Sequence, residues 1–243
     1  MYKEKKISLV LPTYNEKDSI RKVINDFENL RIVDEIIVVN NNAAAGTSEE
    51  VCGTSAREVF ETEQGYGASI MKGYREATGD IIILCEPDDT FLAKDIFKFL
   101  SYCEDVDVVF GSRTCKELIW SGANMGWFLR LGNWAVAKLL EVLFNTNTLT
   151  DVGCTYRLIH RSALEELMPT FLVKTEYFGP EMMVRSYLKR YKCIQIPVVY
   201  KQRIGTSSVT GDLKKAFVLG LKMIFMIILI RIKSDKLVLK AFK

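Results

Sequence analysis

Three observations predict an α/β fold built on a mostly parallel sheet flanked by helices. Short apolar, β-branched runs alternate with helical patterns through the first 112 residues, the rhythm of strand–helix–strand units. The run Ile81 to Leu84 is continuously apolar rather than alternating, as a strand buried on both faces requires. Polar and acidic residues follow directly on these runs, at the carboxyl ends of strands, where open α/β sheets bind their ligands.

The elements follow in order. Ile7 to Leu11 is a strand ending at Pro12, with a loop Thr13-Tyr14-Asn15-Glu16 and a helix to about Leu30. Glu35 to Val39 is a second strand, followed by a polar, glycine-bearing stretch from Asn40 to Thr47. Arg57 to Glu61 is a third. Gly65-Tyr66-Gly67 opens a helix over Ala68 to Ala77, and Thr78-Gly79 ends it with Gly79 as the C-cap. Asp80 to Cys85 is the next strand, then a helix from Ala93 to Tyr102 and a strand from Asp107 to Phe110. Beyond Gly111-Ser112-Arg113 the pattern lengthens into one helix over Asn124 to Phe144 and a polar loop to Thr150. A strand-like turn and a short helix to Met168 come next, then a helix from Gly179 to Arg190 and a strand-like Cys193 to Tyr200. Residues 1–212 read as one domain, with 1–112 its ligand-binding half and 113–212 its acceptor half; 213–243 form an apolar, basic C-terminal helix and tail.

Composition excludes several functions. A net charge of +3 is too small to argue for nucleic acid, and no nucleic-acid-binding signature occurs. Six scattered cysteines form no Cys-x-x-Cys pair, so they read as reduced, mostly buried thiols rather than zinc ligands. The lone His160 disfavours histidine-based catalysis. The charged start, Met1 to Lys6, leads into a strand and does not read as a signal peptide. Ala216 to Ile232 is apolar apart from Lys222 and Arg231, and its uninterrupted part, Met223 to Ile230, falls far short of the ~20 residues that span a bilayer. Lys214, Lys215 and Lys222 precede that part, and Arg231, Lys233, Lys236 and Lys240 follow it. The pattern suits a helix lying in a membrane interface with its cations toward anionic headgroups; a core helix or a dimer helix is the alternative.

The chemistry concentrates at Glu86-Pro87-Asp88-Asp89, where an apolar strand stops in three carboxylates. Like charges this close need a counter-ion, and a divalent metal carrying a phosphate ligand supplies one. The other reading is a helix start with Asp88 or Asp89 as N-cap. Pro12, Thr13, Tyr14 and Glu16, Asn40 to Asn42, and the glycine pair at Gly65 and Gly67 fall at the same sheet edge. No Gly-x-Gly-x-x-Gly follows the first strand and no Gly-Lys-Ser/Thr occurs, which disfavours a dinucleotide site and a P-loop.

Taken in order, Leu11 to Glu16, Glu86-Pro87-Asp88, Gly111-Ser112-Arg113, Asp151 to Arg157 and Arg203 to Ser207 resemble the motifs of family-2 glycosyltransferases. Within these the chain is most similar to the dolichol-phosphate and polyprenol-phosphate mannosyl- and glucosyltransferases, over about residues 5 to 212. The resemblance implies a GT-A fold, a nucleotide-diphosphate sugar as donor and Mg²⁺ or Mn²⁺ as cofactor. It implies that Glu86, Asp88 and Asp89 hold the metal. Pro12, Tyr14, Glu16, Asn40, Asn41, Gly65 and Gly67 would then meet the nucleotide sugar beside Glu86 and Asp88. Arg113, Arg130, Arg157, Arg203 and Ser207 would meet an acceptor phosphate, which suits bidentate guanidinium groups. Asp88, Arg113, Asp151 and Arg157 would form the catalytic set, with Asp151 orienting an arginine, touching the acceptor or, for a sugar-hydroxyl acceptor, serving as base. Three departures stand out. Glu86 replaces the first aspartate of an Asp-x-Asp motif. Asn40-Asn41-Asn42-Ala43 replaces Asp-Asp-Gly-Ser. Ser208 replaces the lysine of Arg-x-Gly-x-Ser-Lys.

The expected function is an inverting, metal-dependent hexosyl transfer from a GDP- or UDP-sugar to a polyprenyl phosphate, by a protein peripheral to the cytoplasmic face of a membrane and serving envelope or glycan synthesis. Two alternatives stay open. One is a glycan or glycolipid hydroxyl acceptor with Asp151 as base. The other is a non-catalytic, membrane-bound nucleotide-sugar-binding module. A homo-oligomer through the C-terminal helix is compatible with either.

Overall fold

The computed structural model describes residues 2–123, 125–205, 213–233 and 235–242. Strands β1 (Ile7–Thr13), β2 (Glu35–Asn40), β3 (Arg57–Phe60), β4 (Ile81–Leu84), β5 (Val108–Ser112), β6 (Arg157–His160) and β7 (Cys193–Pro197) form one sheet in the order β3-β2-β1-β4-β6-β5-β7. β1 pairs in parallel with β2 and β4, β2 with β3, and β5 with β7. β6 is antiparallel to both of its neighbours, β4 and β5. The sheet is therefore mostly parallel with one inverted strand, and that strand comes from the second half of the chain.

The continuous apolar runs are explained by two cores. Val10, Ile37, Val39, Ile82 and Leu84 face one core, and Leu9, Leu11, Ile36, Val38, Ile81 and Ile83 face the other. Successive strand residues point to opposite faces, so a strand covered on both sides must be apolar throughout. Helix α1 (Lys17–Glu28) covers the second core with Ile20, Val23, Ile24 and Phe27, the i, i+3, i+4, i+7 stripe of an amphipathic helix. Helix α2 (Thr47–Cys52) leads to β3. On the opposite face lie α3 (Tyr66–Glu76), α5 (Trp127–Phe144), α6 (Arg161–Leu167) and α7 (Phe178–Leu188), while α4 (Ile96–Tyr102) joins α1.

Gly79 does not cap α3. The helix ends at Glu76 with an extended Ala77, and a side chain at Gly79 would meet Ser8 Oγ and the Lys6 carbonyl. This glycine is required by the close passage of the β4 entry past β1. Similarly, Asp88 and Asp89 start no helix. The Asp88 carboxylate accepts from the Thr90 N–H and hydroxyl, closing a tight turn in which Asp89 adopts φ 62°.

The C-terminal apolar segment divides into α8 (Leu213–Arg231) and α9 (Asp235–Phe242). Met226, Ile227, Leu229 and Ile230 of α8 are buried in the core shared with Val136, Ala137 and Leu140 of α5. Arg231 donates to the Leu143 carbonyl, and Asp235 pairs with Arg185 at 3.0 Å. Phe217, Val218, Leu221, Phe225 and Ile228 stay exposed. The core-helix reading thus describes one side of α8, and the other side is exposed. No helix among the described residues is long and apolar enough to cross a membrane. The six cysteines are all free.

Candidate active site

Because β1, β2, β4, β5 and β7 run in one direction, Thr13, Asn40, Leu84, Ser112 and Pro197 end at a common edge. A cleft of about 750 Å³ opens there. Pro12, Tyr14, Glu16, Asn41, Glu86, Asp88, Arg113 and Arg203 line its polar end. Phe128, Leu129 and Val136 of α5 and Phe217, Leu221 and Ile224 of α8 line an apolar arm continuous with it.

Glu16 organises the loop after β1. One carboxylate oxygen accepts the backbone N–H of Tyr14 at 2.8 Å and of Asn15 at 2.9 Å. Ser19 on α1 donates to the Pro87 carbonyl at 2.6 Å, fastening that helix to the acidic turn. Asp88 is buried, with one oxygen on Thr90 and the other accepting from Arg203 Nε at 2.7 Å. Arg203 also lies 3.8 Å from Glu86 and 4.0 Å from Glu16. Burial and the neighbouring Asp88 push the Glu86 carboxyl up to about 7, against the pull of Arg203 and Arg113. Burial opposes the charge on Arg203, but Asp88 and Glu86 outweigh it and raise its pKa further.

Asp89 points elsewhere. It pairs with Lys22 at 2.8 Å and Lys201 at 2.7 Å, and these cations outweigh its burial and lower its pKa. Its expected metal contact is therefore corrected: Glu86 and Asp88 face the cleft, and Asp89 ties α1 to the segment after β7. Among the described residues no group of three or more His, Cys, Asp or Glu is gathered as a metal cage. Two carboxylates nevertheless suit an ion that draws its remaining oxygens from a diphosphate and water.

Arg113 sits at the end of β5 with its guanidinium over the Tyr200 ring. Nε and Nη2 donate to the two oxygens of Asp151 at 2.9 and 3.0 Å. Asp151 also accepts from the backbone N–H of Arg113 and Gly153, and it is fully buried. Burial alone would raise its pKa, but Arg113 outweighs burial and lowers it. Asp151 is thus an ionised anchor for Arg113, with its oxygens engaged and no place on the cleft wall; this corrects its reading as a base.

Other expectations are corrected by placement. Arg157 lies on β6 and is buried beneath the cleft, its guanidinium over Phe110 and donating to the carbonyls of Cys154, Gly179 and Val152. Arg130 is on α5 outside the cleft lining, with Glu117 among its neighbours. Gly65 and Gly67 do not line the cleft. Side chains there would strike the backbone of Val173 and Lys174, so these glycines let α3 approach that loop. Asn40 is spent on Glu58 and the Ala43 N–H and does not line the cleft, whereas Asn41 lines the cleft while bridging Glu61, Glu63 and Gly65. Ser207 falls outside the described residues.

The cleft also contains residues that sequence reasoning passed over. Tyr66 and Thr155 line it, and among the described residues their hydroxyls are buried without a partner in hydrogen-bond geometry, the phenol near Glu86. Tyr66 stood between the two glycines that drew attention and Thr155 within the Asp151 to Arg157 segment; the cleft residue Glu176 carries no local signal.

Comparisons with known proteins agree with this architecture. Residues 8–168 match the family model described as glycosyl transferase family 2. A dolichyl-phosphate hexose transferase of Haloferax volcanii is 26% identical over 200 residues, covering 82% of this chain and 84% of that protein. A dolichyl-phosphate beta-glucosyltransferase of Trichomonas vaginalis is 26% identical over 232 residues, covering 86% and 70%. Among solved structures, glucosyl-3-phosphoglycerate synthase of Mycobacterium tuberculosis with Mn²⁺, UDP and glucosyl-3-phosphoglycerate superimposes with a TM-score of 0.71 at 16% identity, over 94% of this chain and 80% of that one. The same enzyme has also been solved with Mg²⁺ and UDP. With a family model spanning most of its length and a GT-A-type fold around the cleft, this chain belongs to glycosyl transferase family 2 and is a glycosyltransferase.

Proposed function

We propose that the enzyme transfers a hexose, with inversion, from a nucleoside-diphosphate sugar to a polyprenyl phosphate at the cytoplasmic face of a membrane. The observation that carries this reading is the shape and chemistry of the cleft. One continuous space joins a carboxylate and arginine end, suited to phosphates, to an apolar arm between α5 and α8, suited to an isoprenoid chain. Phe217 and Leu221 both line the arm and remain exposed, so the arm reaches the surface along α8.

In this reading Tyr14, half exposed beside Pro12, offers a face for the base, and the loop organised by Glu16 shapes the ribose end. Glu86 and Asp88 would hold Mg²⁺ or Mn²⁺ against the diphosphate, where the ion supplies Lewis-acid neutralisation of the leaving group's charge. Arg113, oriented by Asp151, would meet the acceptor phosphate through the nitrogen not spent on Asp151. A phosphate oxygen attacks the anomeric carbon, a new C–O bond forms, and the bond to the donor diphosphate breaks with its electron pair leaving on the nucleotide. The acceptor is already ionised and needs no base, which agrees with Asp151 having no free oxygen. Positioning and electrostatic stabilisation then provide the catalysis.

Membrane docking draws support from the surface. Trp127, Leu131 and Trp134 form an exposed stripe on α5, and Trp127 is 73% exposed. Trp120, Phe225 and Ile228 are exposed as well. Tryptophans and a basic, apolar helix suit an interface with anionic headgroups.

The test is release of nucleoside diphosphate from a panel of GDP- and UDP-sugars with Mn²⁺ or Mg²⁺, with and without polyprenyl phosphate, beside Asp88→Asn. Lipid-dependent release lost in the variant is expected. Release that ignores lipid but responds to a glycan hydroxyl would overturn the acceptor assignment.

A further inference from the structure

The acidic end of the cleft already contains a cation. Arg203 Nε is 2.7 Å from Asp88, and its Nη2 is 3.8 Å from Glu86 and 4.0 Å from Glu16. Among the described residues, the ion pairs of these three carboxylates all go to Arg203, since Lys22 and Lys201 are taken by Asp89. From these contacts we infer that Arg203 is a resident counter-ion. It keeps Glu86 and Asp88 from accepting a bare divalent ion and makes metal entry depend on the nucleoside diphosphate. The inference rests on the metal-dependent donor reading above and extends it to the order of binding.

The argument is one of exchange. A divalent ion arriving alone must take Asp88 from Arg203 and would then sit beside a guanidinium that has lost its partner; the two cations repel at short range. An ion arriving with a diphosphate brings its own oxygens. Those oxygens complete its coordination, which two carboxylates leave unfinished, and give the displaced guanidinium a bidentate partner in place of Asp88. Only the second exchange leaves every charge paired.

The surrounding structure permits the side chain to move without the chain. Backbone bonds from Lys201 N–H to the Thr90 carbonyl at 2.8 Å and from Ile204 N–H to the Asp88 carbonyl at 3.1 Å bracket Arg203 and hold its segment against the acidic turn. The Arg203 side chain is 23% exposed toward the cleft, so rotation about its torsions suffices to release the carboxylates.

The experiment measures Mn²⁺ binding by the full chain, from the electron paramagnetic resonance signal of free Mn²⁺. It compares wild type, Arg203→Met and Arg203→Lys, alone and with UDP or GDP. Wild type should bind Mn²⁺ weakly alone and tightly with nucleotide. Arg203→Met should bind Mn²⁺ alone about tenfold more tightly, the scale of one lost charge-assisted contact, while its Mn²⁺-dependent affinity for nucleotide falls. Arg203→Lys, which keeps one charge without the fork, should lie between them and carries the test if the Met variant fails to melt cooperatively. A folded variant that binds Mn²⁺ alone no better than wild type overturns the inference while leaving the donor reading intact. Wild type that binds no Mn²⁺ with either nucleotide overturns both.

Discussion

Arg113 and Arg157 look equivalent in sequence, and the fold gives them opposite tasks. Arg113 follows a strand end and reaches the cleft; Arg157 is within β6 and turns into the protein, where carbonyl oxygens satisfy it. Sequence spacing shows that an arginine lies near a motif, but a strand has two faces, and which one β6 presents depends on its inverted pairing. Asp151 was legible as part of the site, with orienting an arginine among its readings; the choice between those readings was not legible, because its four bonds depend on chain segments brought together by folding. Replacing Asp151 by Asn should cost about 3 kcal/mol, the lower end for breaking a buried pair. Arg113 would loosen, so transfer rate should fall with little change in donor KM. The pKa of Asp151 is lowered in the folded protein, so its contribution is present above the ordinary carboxylate pKa of about 3.9. It is lost as pH falls through the still lower folded value. Melting curves of wild type and Asp151→Asn should therefore converge below about pH 4.

Glu86 has the opposite sign. Its carboxyl is raised to about 7 by burial and Asp88. The favourable, protonated state is therefore fully present below the ordinary glutamate pKa of about 4.3, and its benefit is lost as pH rises toward 7. Metal-free Glu86→Gln should gain stability over wild type across that interval and keep the gain at pH 8. Equal pH dependence of the two melting temperatures would contradict the assigned environment.

At the scale of elements, strands were the most legible. β-branched runs facing two cores leave little alternative, and the acidic turn after β4 advertised itself by charge. The Gly65 and Gly67 pair was visible but misassigned, since a glycine needed for close packing resembles one needed for a phosphate. Gly67→Ala forces a methyl against the Val173 carbonyl and Phe178. Overpacking of this kind should cost about 1–3 kcal/mol in urea unfolding, with donor KM nearly unchanged. A selective rise in donor KM without loss of stability would return Gly67 to the nucleotide site.

For the whole molecule, α8 shows why a terminal apolar helix was hard to assign: its average composition conceals two different sides. Removing it would expose the core around Met226, Ile227 and Ile230, so truncation tests stability rather than lipid binding. The paired change Trp127→Ser and Ile228→Ser alters only exposed positions and should leave melting within the small range usual for surface changes. Binding to anionic vesicles in a sedimentation assay should drop several-fold and, for wild type, weaken with salt. Retained vesicle binding by this variant would place the contact elsewhere.

The inverted strand has a consequence for how the protein is made. β6 lies between β4 and β5, yet it is synthesised after both. A nascent chain that has emerged only through Ser112 holds two strands destined to be neighbours of a third that does not yet exist. Each keeps a row of open peptide groups, an invitation to wrong partners. The central seam can close only when Arg157 to His160 leave the ribosome, so the two halves are stitched together by the later one. In the interval between those events the facing edges of β4 and β5 stand open.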